Sequence, residues 1–223
     1  MAFLRLPAGA LFACLAVAAT VGPSPGSLVI AGWGRLPPAI VQRFIELGGG
    51  RDAPMVFVPT AEDGEPRITG PTTFLARAGV KNVTILHTRD RRVANSEAFV
   101  AALKSARAVW FEGGRQWRLA DAYLKTRTEK ELFRLLAGGG VIGGSSAGAT
   151  IQGSYLVRGA VEDNTAMMSP GHEVGMGFLR KSAVDQHVIA RHRENDLSQV
   201  IDKHPDLLGM GIDEGTAIVV QGN

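Results

Sequence analysis

Cysteine is nearly absent from this chain: Cys14 is the single one among 223 residues. It lies close to the N-terminus, so the rest of the chain can form no disulfide, offer no thiolate nucleophile and bind no metal through sulfur. Long hydrophobic runs are missing too. The charge-free stretch 8–20 holds about 13 residues, short of the ~20 that a helix needs to cross a bilayer, so no stable membrane anchor is expected. Neither sign of charge dominates: 24 Lys plus Arg stand against 21 Asp plus Glu, a net +3. With no basic stretch interleaved with aromatics, nucleic acid is excluded as an expected partner. No set of histidines and acids has metal-ligand spacing, so neither a metal nor another cofactor is expected. Glycine, by contrast, is plentiful at 28 residues, but without a Gly-X-Y period. An apolar content of 45% and a charged content of 20% are globular values. The length suits one compact domain with a sizeable core.

The N-terminus reads as a segment apart. Residues 1–5 carry a positive charge, 8–20 are apolar, and Gly22, Pro23, Pro25 and Gly26 then break any helix. Ala16-Val17-Ala18 offers a small-x-small cleavage site. Residues 1–26 are therefore expected to be a signal peptide, with 27–223 as a single α/β domain in a secreted or periplasmic protein. Phe12 and the apolar residues after Cys14 make a poor lipoprotein signal.

Beyond it, short apolar runs alternate with longer helix-periodic stretches. Strands are expected at 27–32, 55–59, 83–86, 108–111 and 141–142, and helices at 37–47, 71–78, 95–105 and 116–136, the last broken near Thr126. The strands are almost wholly apolar rather than alternating, as a sheet covered on both faces requires. Their alternation with helices predicts a three-layer α/β fold with a largely parallel sheet. After Thr150 the pattern loosens, with strands expected at 182–188, 208–212 and 216–220 and a helix at 194–204. In such sheets ligands bind beyond the C-terminal ends of the strands.

The strongest motif is Gly144-Ser145-Ser146-Ala147-Gly148, with a strand before it and a helix after it. This is G-x-S-x-G in the context it needs: a tight turn that raises the Ser146 hydroxyl above the sheet. The N–H of Ala147, at the start of the following helix, then points toward a developing oxyanion. The alternative is a glycine-rich turn with an incidental serine; such a turn could also hold a phosphate, though no lysine stands at the P-loop position. Among the five histidines, His187 is favoured as the base because it follows a strand, as His87 also does; His172, His192 and His204 lie in looser or helical surroundings. Asp185, Asp213 and Glu214 are candidates for the acid that orients the base. A second oxyanion donor is expected at Gly113 or Gly114, in the turn after the strand 108–111.

Four segments in order, Phe111-Glu112-Gly113-Gly114-Arg115-Gln116, Gly144-Ser145-Ser146-Ala147-Gly148-Ala149, Val184-Asp185-Gln186-His187 and Gly211-Ile212-Asp213-Glu214-Gly215-Thr216-Ala217, together resemble the cyanophycinases and dipeptidase E, a family of serine peptidases. The resemblance implies a class I glutamine amidotransferase-like fold. It implies Ser146 as nucleophile, His187 as base and Glu214 as the orienting acid, with Gly113, Gly114 and Ala147 forming the oxyanion hole. Gln116, Asp185, Gln186 and Arg193 match positions that contact substrate in cyanophycinases, so the expected partner is a peptide, cyanophycin or related aspartyl peptides. Two positions depart from the family pattern: Arg115 stands where Asp or Asn is usual, and Asp196 where a second arginine is expected. The chain also stops sooner after Val220 than relatives do, and a homodimer is an oligomeric state compatible with it. Two other readings are a non-catalytic peptide-binding protein on the same fold and an α/β-hydrolase-like esterase, for which the chain is short and lacks an HGGG segment.

Overall fold

The computed structural model describes residues 21–23 and 25–222; the expected signal peptide, with Cys14, lies almost entirely outside the described residues. The apolar runs form strands that are buried end to end. β1 (Ser27–Ala31), β2 (Met55–Val58), β4 (Ala108–Phe111) and β5 (Val141–Ser145) expose almost no side chain, whereas β3 (Val83–Ile85) is half covered. With β9 (Ala217–Gln221) they make a six-stranded sheet in the order β3-β2-β4-β5-β1-β9. Every pair is parallel except β9, which runs antiparallel to β1 at the edge. Burial on both faces explains why these strands do not alternate in polarity.

Helices cover both faces. On one side α1 (Pro38–Leu47) and α2 (Phe74–Arg77) lie over Phe44, Phe57 and Trp110. The rings of Phe44 and Phe74 meet Trp110 edge to face at 5.0 and 5.1 Å, a favoured aromatic geometry. On the other side α4 (Glu97–Ser105), α5 (Gln116–Tyr123) and α6 (Arg127–Ala137) bury Val100, Leu119, Tyr123 and Leu132. The expected helix 116–136 thus divides where Thr126 precedes α6. The expected helix 71–78 is likewise split, into a short 3₁₀ turn (Gly70–Thr72) and α2, whereas the expected helix 95–105 is the single helix α4, preceded by a short α3 (Arg91–Ala94).

The loose region after Thr150 holds a second layer that the apolar pattern does not announce. β6 (Gly153–Tyr155), β7 (Leu179–Gln186) and β8 (Leu208–Ile212) form a separate three-stranded sheet, all parallel. α7 (Ala147–Thr150) is buried between the two sheets and lies against β1, β5 and β7, while α8 (Ser198–Lys203) lies against β8. The chain returns from β8 to β9 through a turn at 213–216, so this short segment passes from one sheet to the other. No helix among the described residues is long and apolar enough to cross a membrane.

Candidate active site

The G-x-S-x-G turn is built by steric exclusion. A Cβ on Gly144 would lie well inside contact with the carbonyl of Gly148, and one on Gly148 would meet the carbonyl of Phe111 on β4. Only glycine at both positions lets α7 start this close to β5. Between them Ser146 takes φ 52° and ψ −113°, a conformation costly for a residue with a side chain and found where the surroundings over-determine it. That turn lifts its hydroxyl off the end of β5.

The hydroxyl meets an imidazole. Ser146 Oγ lies 2.9 Å from Nε2 of His187, and Nδ1 of His187 lies 2.7 Å from Oε1 of Glu214. A carboxylate only accepts, so Nδ1 carries the proton and the Nε2 lone pair faces the hydroxyl. Position alone suggests that Ser146 and His187 share one sheet edge; instead they come from different sheets. Ser146 directly follows β5 of the larger sheet, His187 directly follows β7 of the smaller, and Glu214 sits in the turn that links the two. Asp213, the other acid of that turn, accepts the N–H groups of Ile189 and Ala190, both at 3.0 Å, and so pins the segment that follows His187. These backbone bonds hold the Asp213 carboxyl below its ordinary value. Burial pushes the His187 imidazole below its ordinary value, with help from Arg191 and Arg193, while Glu214 opposes the shift. The shift favours the neutral imidazole, with its proton on Nδ1 and Nε2 left free to accept one.

Three of the other histidines are engaged elsewhere. Nδ1 of His87 contacts Thr60 at 3.0 Å, and its Nε2 faces Glu65; His172 contacts Asp121 and His204 contacts Tyr155, each at 3.0 Å.

The backbone donors around Ser146 are not equivalent. The N–H groups of Ala147 and Gly114 have no hydrogen-bond partner among the described residues. Gly113 sits so close to Ser146 that an added Cβ would press on its side chain, but the Gly113 N–H donates to the carboxylate of Glu112 at 3.0 Å. Gly113, expected as an oxyanion donor, is therefore engaged, and Gly114 and Ala147 are the donors left open. Glu112 also accepts the Ser145 hydroxyl at 3.1 Å. Burial raises the Glu112 carboxyl above its ordinary value, against the pull of these two bonds, and burial together with Glu112 raises Glu62.

Above Ser146 opens a cleft of about 550 Å³. Its lining includes Trp33, Glu62, Asp63, Glu112, Asn164 and Arg191. The Trp33 ring lies 5.9 Å from that of His187. Of the four expected substrate contacts, only Gln186 borders this cleft. Gln116 is buried and gives its amide to the Val157 carbonyl at 2.9 Å. Arg193 is turned inward onto the backbone and side chain of Gln186 and onto Asn164. Asp185 is fully buried behind them, gripped at both oxygens by Arg158 at 2.7 Å.

Arg158 explains the charge at 196. Its guanidinium also binds Asp196 at 2.7 Å and the carbonyls of Asn164 and Thr165, so all five of its donors are used. Asp196 thus closes an internal network rather than reversing the charge of an open pocket. Arg115 is likewise turned away from the cleft, onto the carbonyls of Ala160 and Asp163. Trp33, Glu62, Asn164, Arg158 and Arg191 were not singled out from the sequence. The rule that ligands bind past strand ends would have drawn attention to Trp33, two residues beyond β1; the others carry no local signal. Among the described residues no cluster of histidines, cysteines and acids could hold a metal ion.

Comparison with known proteins agrees with this picture. A cyanophycinase of Geminocystis herdmanii is 32% identical over 191 residues, 82% of this chain and 68% of its own length. A cyanophycinase of a Nostoc species is 31% identical over 186 residues, 82% of this chain and 62% of its own. The chain thus spans roughly two thirds of the length of these curated relatives. The crystal structure of a peptidase from an acI-B1 Actinobacterium superposes with a TM-score of 0.66 at 24% identity, covering 89% of this chain and 84% of the other. That likeness concerns the fold, which is the expected α/β architecture with a mostly parallel sheet. The model of peptidase family S51 matches residues 31–223, and the chain belongs to that family.

Proposed function

We propose that this chain is a serine peptidase that acts on cyanophycin or related aspartyl peptides through an acyl-enzyme. The observation that carries the proposal is the hydrogen-bonded series Ser146–His187–Glu214, at 2.9 and 2.7 Å. In the first step Ser146 Oγ attacks the carbonyl carbon and its proton passes to Nε2 of His187. Glu214 stabilises the imidazolium and holds the ring in place. The free N–H groups of Ala147 and Gly114 receive the negative oxygen of the tetrahedral intermediate. The intermediate collapses as the C–N bond breaks and the imidazolium gives its proton to the leaving amine. Water then enters, loses a proton to His187 and attacks the ester, releasing the carboxylic acid and restoring Ser146.

Support for the substrate class comes from the relatives, which are named cyanophycinases. The order serine, histidine, acid along the chain differs from the serine, acid, histidine order of α/β-hydrolases, which weighs against the esterase reading. Incubation with cyanophycin and with a panel of α- and β-aspartyl dipeptides, followed by mass spectrometry, identifies the cleaved bond. A fluorophosphonate that labels the wild type and not Ser146→Ala supports the nucleophile; equal labelling of both overturns it.

A further inference from the structure

The cleft above Ser146 does not end at Trp33. Trp33 and Glu112 are shared with a second depression of about 350 Å³, which reaches Arg35, Leu36, Phe74 and Arg77. A third depression of about 710 Å³ shares Arg35, Phe74 and Arg77 with it and is lined by Arg51 as well. Sharing these residues, the three depressions adjoin one another, and together they form a groove from Ser146 past the half-exposed indole of Trp33, between the loop after β1 and α2.

Its charge changes along the way. Acids stand near the nucleophile, but past Glu112 the groove is bordered by no acidic residue. Arg35, Arg51 and Arg77 form no ion pair with any described carboxylate, whereas Arg43, Arg92, Arg118 and Arg127 each do. Arg77 donates only to the carbonyl of Thr72, and Arg51 only to the carbonyl of Ala78 and the side chain of Gln42. Three exposed guanidinium groups thus line a groove floored by Leu36 and Phe74. Arginine presents a planar fork that fits a carboxylate and sits readily beside aromatic rings.

We propose that this groove is an extended subsite for the part of a peptide substrate remote from the cleaved bond. Arg35 and Arg77 bind its free carboxylates, and Trp33 and Phe74 support the chain between them. The inference rests on Ser146 as the nucleophile for its meaning, but binding along the groove does not require catalysis. Such remote contacts let a long substrate be held more tightly than a dipeptide.

The test is binding to Ser146→Ala, which removes turnover. The probe is a capped hexa-aspartate peptide, with capped hexa-asparagine as the neutral control, measured by titration calorimetry at low salt. We expect hexa-aspartate to bind and the Arg35→Gln/Arg77→Gln substitution to weaken it at least tenfold, with hexa-asparagine bound weakly by both proteins. Equal affinity of the two proteins for hexa-aspartate, equal affinity of the parent for both peptides, or no binding of hexa-aspartate overturns the proposal. Fluorophosphonate labelling of the Arg35→Gln/Arg77→Gln protein with Ser146 intact separates this question from the catalytic one. Loss of binding with labelling unchanged supports the groove, and absence of labelling in the wild type removes the nucleophile while the binding result stands on its own.

Discussion

The carboxylate of Glu112 accepts the N–H of its own neighbour Gly113 at 3.0 Å, within the turn that presses against the nucleophile. One backbone donor beside Ser146 is thereby occupied by a negative charge. Glu112→Gln keeps the shape and the accepting oxygen and removes only the charge. An anion close to a developing oxyanion raises the barrier, so kcat/KM at pH 8 is expected to rise about three- to tenfold, where tenfold corresponds to ~1.4 kcal/mol. As the pH falls into the range where the raised Glu112 carboxyl takes up its proton, the two enzymes should converge. The same residue affects folding. The folded state holds the Glu112 proton more tightly than the unfolded chain, whose ordinary value is 4.5. Stability is therefore lost as pH rises from there through the raised value, and the variant should lack that loss. Identical pH–rate profiles for both proteins would show that the carboxylate does not reach the reaction.

In the proposed mechanism His187 sets the acid limb of the pH profile. Because burial depresses it below its ordinary 6.5, kcat/KM should climb with an apparent pKa under 6.5 and level off by neutral pH. The folded imidazole binds a proton less readily than the unfolded one, so its contribution to stability falls away as pH drops below 6.5. Glu214 is the group that opposes the depression. Glu214→Gln should move the limb to still lower pH and reduce the plateau by roughly 10³- to 10⁴-fold. A limb above 6.5 in the wild type would contradict this account of the base.

Arg158 and Asp185 form a buried pair whose two members cannot be removed separately without cost. Arg158→Met leaves the Asp185 carboxyl without its cation in the interior, and about 3–5 kcal/mol of stability should be lost in urea unfolding. Combining it with Asp185→Asn should recover a good part of that loss. Asp196 is about a third exposed, and Asp196→Asn should cost under ~1 kcal/mol. Equal losses for Arg158→Met alone and for the double variant would mean that the pair is not coupled.

Gly148→Ala tests the turn. The added methyl meets the Phe111 carbonyl of the neighbouring strand, which is backbone and yields only if α7 withdraws from β4. A loss of about 1–3 kcal/mol is expected, with Ser146 displaced from His187 and activity reduced at least a hundredfold. Wild-type kinetics in this variant would show that the close approach is not required.

How much of this was legible in the chain depends on the range over which each feature is encoded. The strands β1, β2, β4 and β5 could be read because a run buried on both faces must be apolar at every position. The turn around Ser146 could be read because its glycines answer to sterics within a few residues. β6 could not be read: it is three residues long, with Ser154 and Tyr155 only partly buried, and carries no apolar run. Nor was it legible that β6, β7 and β8 leave the main sheet. Asp213 and Glu214 are adjacent in sequence and chemically alike, so nothing local says which meets the imidazole.

By itself, then, the sequence determined a layered α/β chain with a tight G-x-S-x-G turn after its fifth strand, since burial and local sterics write themselves into neighbouring residues. Glu214, 27 residues from His187, is implied by the family resemblance but by no local feature; the tertiary structure alone decided that Asp185 is committed to Arg158 and that Gly113 is occupied by Glu112. Each of these is a pairing of polar groups. Such pairings depend on which strand ends lie side by side, and neither periodicity nor composition records that.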